Sequence, residues 1–168
     1  MTTTTAWAAQ AADQPLAPIT INRRDVGATD VRIQIEFCGI CHSDVHTARN
    51  EWHGTAYPAV PGHEIVGRVV AVGDSVSKVG VGDRVGVGCI IDSCGHCAEC
   101  LDGLQNYCRN GALFTYNSPD PTGTNPRTYG GYSSEIVVTE GFVLRVGWRC
   151  PVVGVAICMD TGDVNFGC

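Results

Sequence analysis

The sequence is poor in charged side chains and contains no long apolar run. Charged residues make up only 17% of its 168 residues, whereas glycine occurs 21 times. This composition favours strands and tight turns over long helices. No segment approaches the roughly 18 consecutive apolar residues that a membrane-spanning helix requires, so we expect no membrane span.

The N-terminus also lacks the features of a secretory signal peptide. Residues 1–10 contain neither a basic stretch nor a continuous apolar core. We therefore expect a cytoplasmic protein, in which the ten cysteines are metal ligands or thiols. An extracellular disulfide framework is the alternative, and the missing signal pattern argues against it.

Positive charge is scarce as well. The formal net charge is −6, and no cluster of Lys or Arg surrounds the cysteine-rich segment. These observations argue against nucleic acid or an anionic membrane as a partner. The length of 168 residues fits one domain of ordinary size.

The order of the residues predicts a mainly β domain. Residues 1–18, rich in Thr, Ala and Gln, predict a poorly specified N-terminal segment, and residues 19–146 predict the domain itself. Within residues 30–37, Val31, Ile33, Ile35 and Phe37 alternate with polar side chains, as in a half-buried strand. Further strands are predicted at residues 19–24, 65–73, 79–88, 130–138 and 142–146, with a tight turn at 82–85.

The remaining segments predict a helical turn and two loops. A short helical turn is expected after Cys41, and loops are expected at residues 51–61 and 113–127. The recurrent glycines between the strands indicate the bulges and bends of a small, partly open β-barrel with short helices.

Residues 89–110 contain a cysteine cluster with metal-ligand spacing. Cys94, Cys97, Cys100 and Cys108 form the pattern Cys-x2-Cys-x2-Cys-x7-Cys. Four thiolates in one short segment predict a closed tetrahedral zinc site. An iron–sulfur cluster is the rival, but ferredoxin patterns continue with x3-Cys-Pro, which this segment does not.

Cys41 and His63 are candidates for a second, open zinc site. A thiolate and a neutral imidazole are preferred zinc ligands, and catalytic zinc takes three protein ligands with one open position. Taken singly, a cysteine is more often a small buried side chain and a histidine a hydrogen-bonded one. The third ligand is not evident from spacing alone.

These motifs together resemble the N-terminal catalytic domain of zinc-dependent medium-chain alcohol dehydrogenases. The resemblance is greatest to the NADP-dependent, cinnamyl-alcohol-dehydrogenase-like branch. It covers residues 15–146 and rests on five motifs in family order: Gly39–Asp44, Pro61–Gly67, Val81–Gly88, the cysteine cluster and Gly130–Ser133. The resemblance implies a GroES-like fold, a partly open β-barrel with a four-cysteine zinc lobe.

The resemblance also implies roles for individual residues. Cys41 and His63 would hold catalytic zinc, with Glu64 as an adjacent acid able to approach the metal. Asp44 would be a carboxylate that orients His63, and Ser43 would contact the alcohol oxygen. His46 would be the outer end of a proton relay. His42 would lie near the phosphates of the cofactor. Trp52 and Tyr57 would be walls of the substrate pocket.

The implied reaction interconverts a small-molecule alcohol and an aldehyde. Zinc would favour the alkoxide, which passes a hydride to NADP. Members of the family are often homodimers. The rival interpretations are a truncated, non-catalytic zinc-binding domain of the same family and a zinc-ribbon interaction module, which would not need the residues around Cys41 and His63.

Two features depart from the family. No Gly-x-Gly-x-x-Gly follows a strand and precedes a helix, so no Rossmann domain is expected. Residues 147–168 are an atypical tail, for which we expect truncation or a shifted reading frame; the neighbouring frame of the gene would test this. Cys158, in that tail, is the candidate third zinc ligand by its distance from the Gly-Gly-Tyr motif.

Overall fold

The computed structural model describes residues 1–147. Its strands are β1 Thr2–Ala8, β2 Ala17–Arg23, β3 Asp30–Cys38, β4 Ile65–Val72, β5 Arg84–Val87, β6 Ile90–Asp92, β7 Leu113–Phe114, β8 Glu135–Thr139 and β9 Leu144–Arg145. Its α-helices are α1 His42–Ala48 and α2 Ala98–Leu101, and single 3-10 turns span Gln105–Tyr107 and Glu140–Phe142. No helix within residues 1–147 is long and apolar enough to cross a membrane.

The central sheet is antiparallel, with strand order β8-β3-β4-β5-β9. Ile33 in β3 lies opposite Val69 of β4 on one side and Ile136 of β8 on the other. All three side chains are buried and belong to the main hydrophobic core, because alternate residues of each strand point to the same face. The sheet does not close into a complete barrel over the described residues, as expected for a partly open one.

A β-bulge changes the direction of side chains near the end of β3. The predicted alternation holds for Val31 and Ile33, which are fully buried. The register then shifts between Ile35 and Phe37, and Phe37 is 53% exposed, contrary to the prediction. A bulge inserts one extra residue into the strand, which reverses the faces to which the following side chains point. Cys38 therefore packs against the core in place of Phe37.

The prediction of a poorly specified segment at residues 1–18 is wrong. Thr2–Ala8 forms β1, which pairs along its whole length with β2. Thr4, Ala6 and Ala8 point inward, while the Trp7 side chain is largely exposed. The inward residues are small or polar, so the period-two pattern carries little hydrophobic contrast and is easily missed.

The strand predicted at residues 19–24 is present as β2 Ala17–Arg23, and the remaining predicted strands are present but shorter. Residues 65–73 contain β4, and the tight turn before β5 is confirmed, with Gly82 at a φ of +92°. The range 130–138 contains β8 only from Glu135 onward. Gly130 and Gly131 instead donate hydrogen bonds to the carbonyls of Val60 and Gly62. This contact brings the Gly-Gly-Tyr segment against the segment that carries His63.

Candidate metal centres

Asp44 joins the two segments that carry the predicted ligands. Helix α1 begins directly after Cys41, and the Asp44 carboxylate in its first turn accepts a 2.9 Å hydrogen bond from the Cys41 N–H. The other carboxylate oxygen accepts a 2.9 Å hydrogen bond from the Gly62 N–H. Because Asp44 is only 3% exposed, these donors offset the cost of burying its carboxylate.

The backbone turns sharply at Gly62, immediately before His63. Its φ is +97°, and a Cβ there would lie 2.7 Å from Cδ1 of Tyr132 and 2.8 Å from the sulfur of Cys38. Glycine adopts this conformation without steric cost and leaves room for both neighbours. The close packing therefore explains why this position of the Pro-Gly-His-Glu motif needs glycine.

Cys41, His63 and Glu64 form a compact donor set. One ligand atom from each lies within 4.8 Å of those of the other two. His63 and Glu64 are buried, and Cys41 is partly buried. Sulfur, imidazole nitrogen and carboxylate oxygen are the three donor types that zinc takes in proteins, so the set fits a zinc ion. Cys158, the predicted third ligand, lies outside the described residues.

The His63 ring is close to a tyrosine as well as to Asp44. Its Nδ1 lies 3.1 Å from the Tyr116 hydroxyl and 3.6 Å from Oδ1 of Asp44. The His63 and Tyr116 rings stack with centroids 5.5 Å apart. Burial, followed by the nearby Asp44 charge, raises the pKa of the Tyr116 hydroxyl above its ordinary value.

Tyr116 was not predicted from the sequence. It lies in the segment interpreted as a polar loop, 53 positions after His63. The available signal was weak: a pair of aromatic residues, Phe114 and Tyr116, inside an otherwise polar stretch. Such residues often pack locally, so the contact with His63 becomes visible only in the folded chain.

Ser43 and His63 line a cavity of about 390 Å³. The Ser43 hydroxyl donates a 3.1 Å hydrogen bond to the Cys41 sulfur. Trp52, predicted as a pocket wall, lines this cavity, together with Phe114. Cys89, Tyr116 and four further polar residues complete the lining, namely Thr47, Thr115, Asn117 and Ser118.

Tyr57, the other predicted pocket wall, is not among the residues that line this cavity. Its hydroxyl instead donates a 2.9 Å hydrogen bond to the Ala48 carbonyl at the end of α1. In the folded chain it therefore fixes the loop at residues 51–61 against the helix.

The two histidines of α1 lie on its outer side. His42 is exposed, and its ring centroid is 4.6 Å from that of His46. His46 hydrogen-bonds through Nδ1 to the Glu51 carboxylate and packs against Trp52 at 4.8 Å. His46 is thus adjacent to a cavity wall, and His42 is accessible to solvent.

The four predicted lobe cysteines converge on one point. Their sulfur atoms all lie within 4.8 Å of one another, and those of Cys94 and Cys100 are 3.9 Å apart. Thiolates bound tetrahedrally to zinc at about 2.3 Å are roughly 3.8 Å apart. The spacing fits a single ion and leaves no room for a cluster of iron and sulfide. None of the seven cysteines in residues 1–147 forms a disulfide.

Backbone N–H groups stabilise the thiolate form of Cys94. Hydrogen bonds from the backbone of His96 and then of Cys97 lower the pKa of the Cys94 thiol to about 5. The Cys97 N–H lies 3.4 Å from the Cys94 sulfur. A thiolate is the form that binds metal, so the lobe backbone favours the metal-binding state.

A comparison with protein-family models identifies the domain. Residues 27–147 match the model described as the alcohol dehydrogenase GroES-like domain. The chain belongs to this family. The match begins just before β3 and includes both candidate metal centres, and the GroES-like fold predicted from the motifs is confirmed.

Curated relatives are oxidoreductases by name. The chain is 61% identical over 138 residues to aldehyde reductase YahK of Escherichia coli, covering 82% of the chain and 39% of the relative. It is 55% identical over 146 residues to NADP-dependent alcohol dehydrogenase C of Mycobacterium bovis, covering 87% of the chain and 42% of the relative. The chain therefore spans about 40% of the length of these family members.

Solved structures of the same family have the same fold. A cinnamyl alcohol dehydrogenase from Sorghum bicolor matches 94% of the chain and 44% of its own, with a TM-score of 0.89 and 43% identity. The Helicobacter pylori enzyme complexed with NADP(H) matches 94% of the chain and 45% of its own, with a TM-score of 0.88 and 39% identity.

Proposed function

We propose that the chain is the catalytic domain of a zinc-dependent alcohol dehydrogenase that interconverts an alcohol and an aldehyde with NADP. The observation that carries this proposal is the Cys41, His63 and Glu64 donor set, which adjoins a cavity lined by Ser43 and His63. An open cavity beside a soft donor set is what a catalytic metal requires and a closed structural site does not. The names of the relatives support both the interconversion of alcohol and aldehyde and the choice of NADP as the cofactor.

Cys41 and His63 are the proposed zinc ligands, with Glu64 as the third donor within reach and Cys158 as the further candidate. A zinc ion held there supplies Lewis-acid polarisation of a substrate oxygen. Asp44 holds the backbone on both sides of this set through its hydrogen bonds to Cys41 and Gly62. This arrangement keeps the donors in place before substrate binds.

Ser43 is the proposed group that holds the substrate proton. Its hydroxyl lines the cavity and lies beside the Cys41 sulfur, so it can exchange a hydrogen bond with a substrate oxygen near the metal. His46, paired with Glu51, is proposed to pass that proton toward solvent. His42, which is exposed on the same helix, is proposed to contact the phosphates of the cofactor.

The cavity favours an aromatic alcohol or aldehyde as substrate. Its walls include the rings of Trp52, Phe114 and Tyr116. A substrate ring can stack on such side chains at a gain of about 0.5–1.5 kcal/mol per pair beyond the burial of apolar area. The names of several relatives, which include cinnamyl alcohol dehydrogenases from Oryza sativa and Arabidopsis thaliana, support this class.

Cys94, Cys97, Cys100 and Cys108 are proposed to hold a structural zinc ion. The four sulfur atoms lie close enough together to bind one ion, and four thiolates would complete its tetrahedral coordination and leave no position for substrate. The role of this site would be to fold residues 89–110, which contain only the three-residue strand β6 and short helical turns.

Zinc content and turnover of the 168-residue chain test the proposal. We expect two zinc ions per chain and only slow NADPH-dependent reduction of an aromatic aldehyde, because no Rossmann domain is expected to bind the cofactor. Cys41→Ser should remove one zinc ion and abolish turnover, whereas Ser43→Ala should keep both ions and lower turnover by about 10²-fold or more. One zinc ion and no turnover in the unsubstituted chain would contradict the proposal and favour a non-catalytic zinc-binding domain.

A further inference from the structure

We propose that Tyr116 is a positioning residue for His63: its hydroxyl accepts a hydrogen bond from Nδ1 and thereby presents Nε2 to the metal. This inference rests on the proposed zinc site formed by Cys41, His63 and Glu64. Nothing in the four-residue motif around His63 points to this tyrosine, which comes from the segment after the cysteine lobe.

The distances around Nδ1 favour the tyrosine over the carboxylate. The Tyr116 hydroxyl lies at 3.1 Å, within hydrogen-bond range, and Oδ1 of Asp44 lies at 3.6 Å, beyond it. Asp44 already accepts hydrogen bonds of 2.9 Å from Cys41, Gly62 and Tyr132. Its oxygens therefore point toward those donors, and the hydroxyl fills the remaining gap.

The surroundings of the Tyr116 hydroxyl also favour one direction of its hydrogen bond with His63. The charge of Asp44 is among the causes of the raised pKa of this hydroxyl, so Asp44 lies near it. When Nδ1–H of His63 donates to the hydroxyl oxygen, the hydroxyl hydrogen is available to the Asp44 carboxylate. A hydroxyl whose hydrogen is directed at this acidic neighbour offers a lone pair to Nδ1–H of His63, and this direction of donation fixes the imidazole tautomer.

The backbone on both sides of Tyr116 is anchored, so its ring position is defined. Thr115 is 1% exposed, and its N–H and hydroxyl bond to the carbonyls of Cys89 and Gly88 at 3.0 and 2.5 Å. On the other side, the Asn117 side chain accepts a 3.1 Å hydrogen bond from the Ala56 N–H. Both anchors belong to segments that border the candidate site.

Nitrogen-15 NMR of the histidine-labelled 168-residue chain tests the proposal directly. His63 is expected to carry its hydrogen on Nδ1 in the metal-free chain and in the chain loaded with zinc. In Tyr116→Phe, which keeps the ring but lacks the hydroxyl, we expect a mixture of the two tautomers in the metal-free chain. Tyr129→Phe, which removes another buried tyrosine hydroxyl, should leave the His63 signals unchanged.

Zinc affinity provides the second measurement. Loss of a group that orients a ligand weakens metal binding by about 10–100-fold, so in chelator competition we expect Tyr116→Phe to weaken one zinc site by about 10-fold. The affinity of the four-cysteine site should not change. Equal affinity and an unchanged tautomer in Tyr116→Phe would overturn the proposal, as would hydrogen on Nε2 of His63 in the unsubstituted metal-free chain.

The two proposals can fail separately. If the chain binds only one zinc ion, the proposed function fails, while the metal-free NMR comparison still decides what Tyr116 does to His63. If two ions bind and turnover occurs but Tyr116→Phe changes neither tautomer nor affinity, the function stands. Asp44 would then be the group that orients the ring.

Discussion

The Tyr132 hydroxyl donates a 2.9 Å hydrogen bond to the Asp44 carboxylate, although the two residues are 88 positions apart in the chain. Tyr132 belongs to the Gly-Gly-Tyr segment before β8, and Asp44 lies in the first turn of α1. Burial, followed by the charge of Asp44, raises the pKa of Tyr132 above its ordinary value. The tyrosine therefore keeps its hydroxyl hydrogen to higher pH than an ordinary tyrosine, and as a donor it ties two remote motifs together.

Replacement of Asp44 should destabilise the whole domain. Asp44→Ala leaves the N–H groups of Cys41 and Gly62 and the hydroxyl of Tyr132 without this acceptor. Each buried donor left in this way costs about 1–3 kcal/mol, so we expect a loss of about 3 kcal/mol or more in the free energy of unfolding. Urea denaturation measures it, and Asp13→Ala, at an exposed position, should change it by less than about 0.5 kcal/mol. Equal effects of the two substitutions would refute the structural role of Asp44.

Two glycines with similar backbone angles should respond differently to alanine. Gly62 and Gly82 have φ values of +97° and +92°. A Cβ at Gly62 would lie 2.8 Å from the Tyr132 backbone nitrogen, whereas a Cβ at Gly82 meets nothing within 4 Å. We expect Gly82→Ala to cost about 1 kcal/mol from backbone strain alone and Gly62→Ala to cost more than twice as much.

Thermal or urea unfolding of the two glycine variants checks this prediction. Zinc content should also fall in Gly62→Ala, because the added methyl group displaces the segment that carries His63. Similar losses of stability in both variants would show that the close packing around Gly62 contributes little.

Cys38 should be the slowest thiol to react in the metal-free folded chain. Burial raises its pKa from 9.0 to about 12, so the thiol stays protonated up to far higher pH than an ordinary cysteine, and only the thiolate reacts. Mass spectrometry of iodoacetamide-treated protein at pH 8 should find Cys38 unmodified after Cys94 and Cys97 are labelled. Rapid labelling of Cys38 without unfolding would contradict its position in the core.

The same shift predicts how stability depends on pH. The folded pKa of Cys38 lies above the unfolded value, so its contribution is complete below about pH 9 and is lost as pH rises toward 12. Unfolding measured across this range should show a steeper decline for the natural chain than for Cys38→Ala. Parallel curves for the two proteins would argue against the raised pKa.

Removal of zinc should unfold the cysteine lobe and leave the central sheet intact. Residues 94–108 contain only short helical turns, whereas the core of the sheet is formed by residues outside this range. Hydrogen exchange after treatment with a chelator should therefore accelerate at residues 93–109 and remain slow in β3 and β4. Uniform acceleration would mean that the lobe metal holds the entire domain together.

Local patterns in the sequence predicted the features that depend on near neighbours. The spacing of Cys94, Cys97, Cys100 and Cys108 predicted one cluster, because a short chain with glycine turns can bring its own thiols together. The alternation at Val31 and Ile33 predicted the buried face of β3. The motifs around Cys41 and His63 predicted two donors of one candidate site by resemblance, and their catalytic roles stay predictions.

Contacts between remote segments became visible in the folded chain. The bulge in β3 exposes Phe37, the pairing of β1 with β2 orders the N-terminus, and Tyr116 reaches His63 across 53 positions. Periodicity and motif spacing carry no information on such contacts, because they depend on strand register and on which surfaces pack together. The residue types and their spacing therefore indicate which side chains can bind metal, whereas the packing of remote segments sets which side chains surround them.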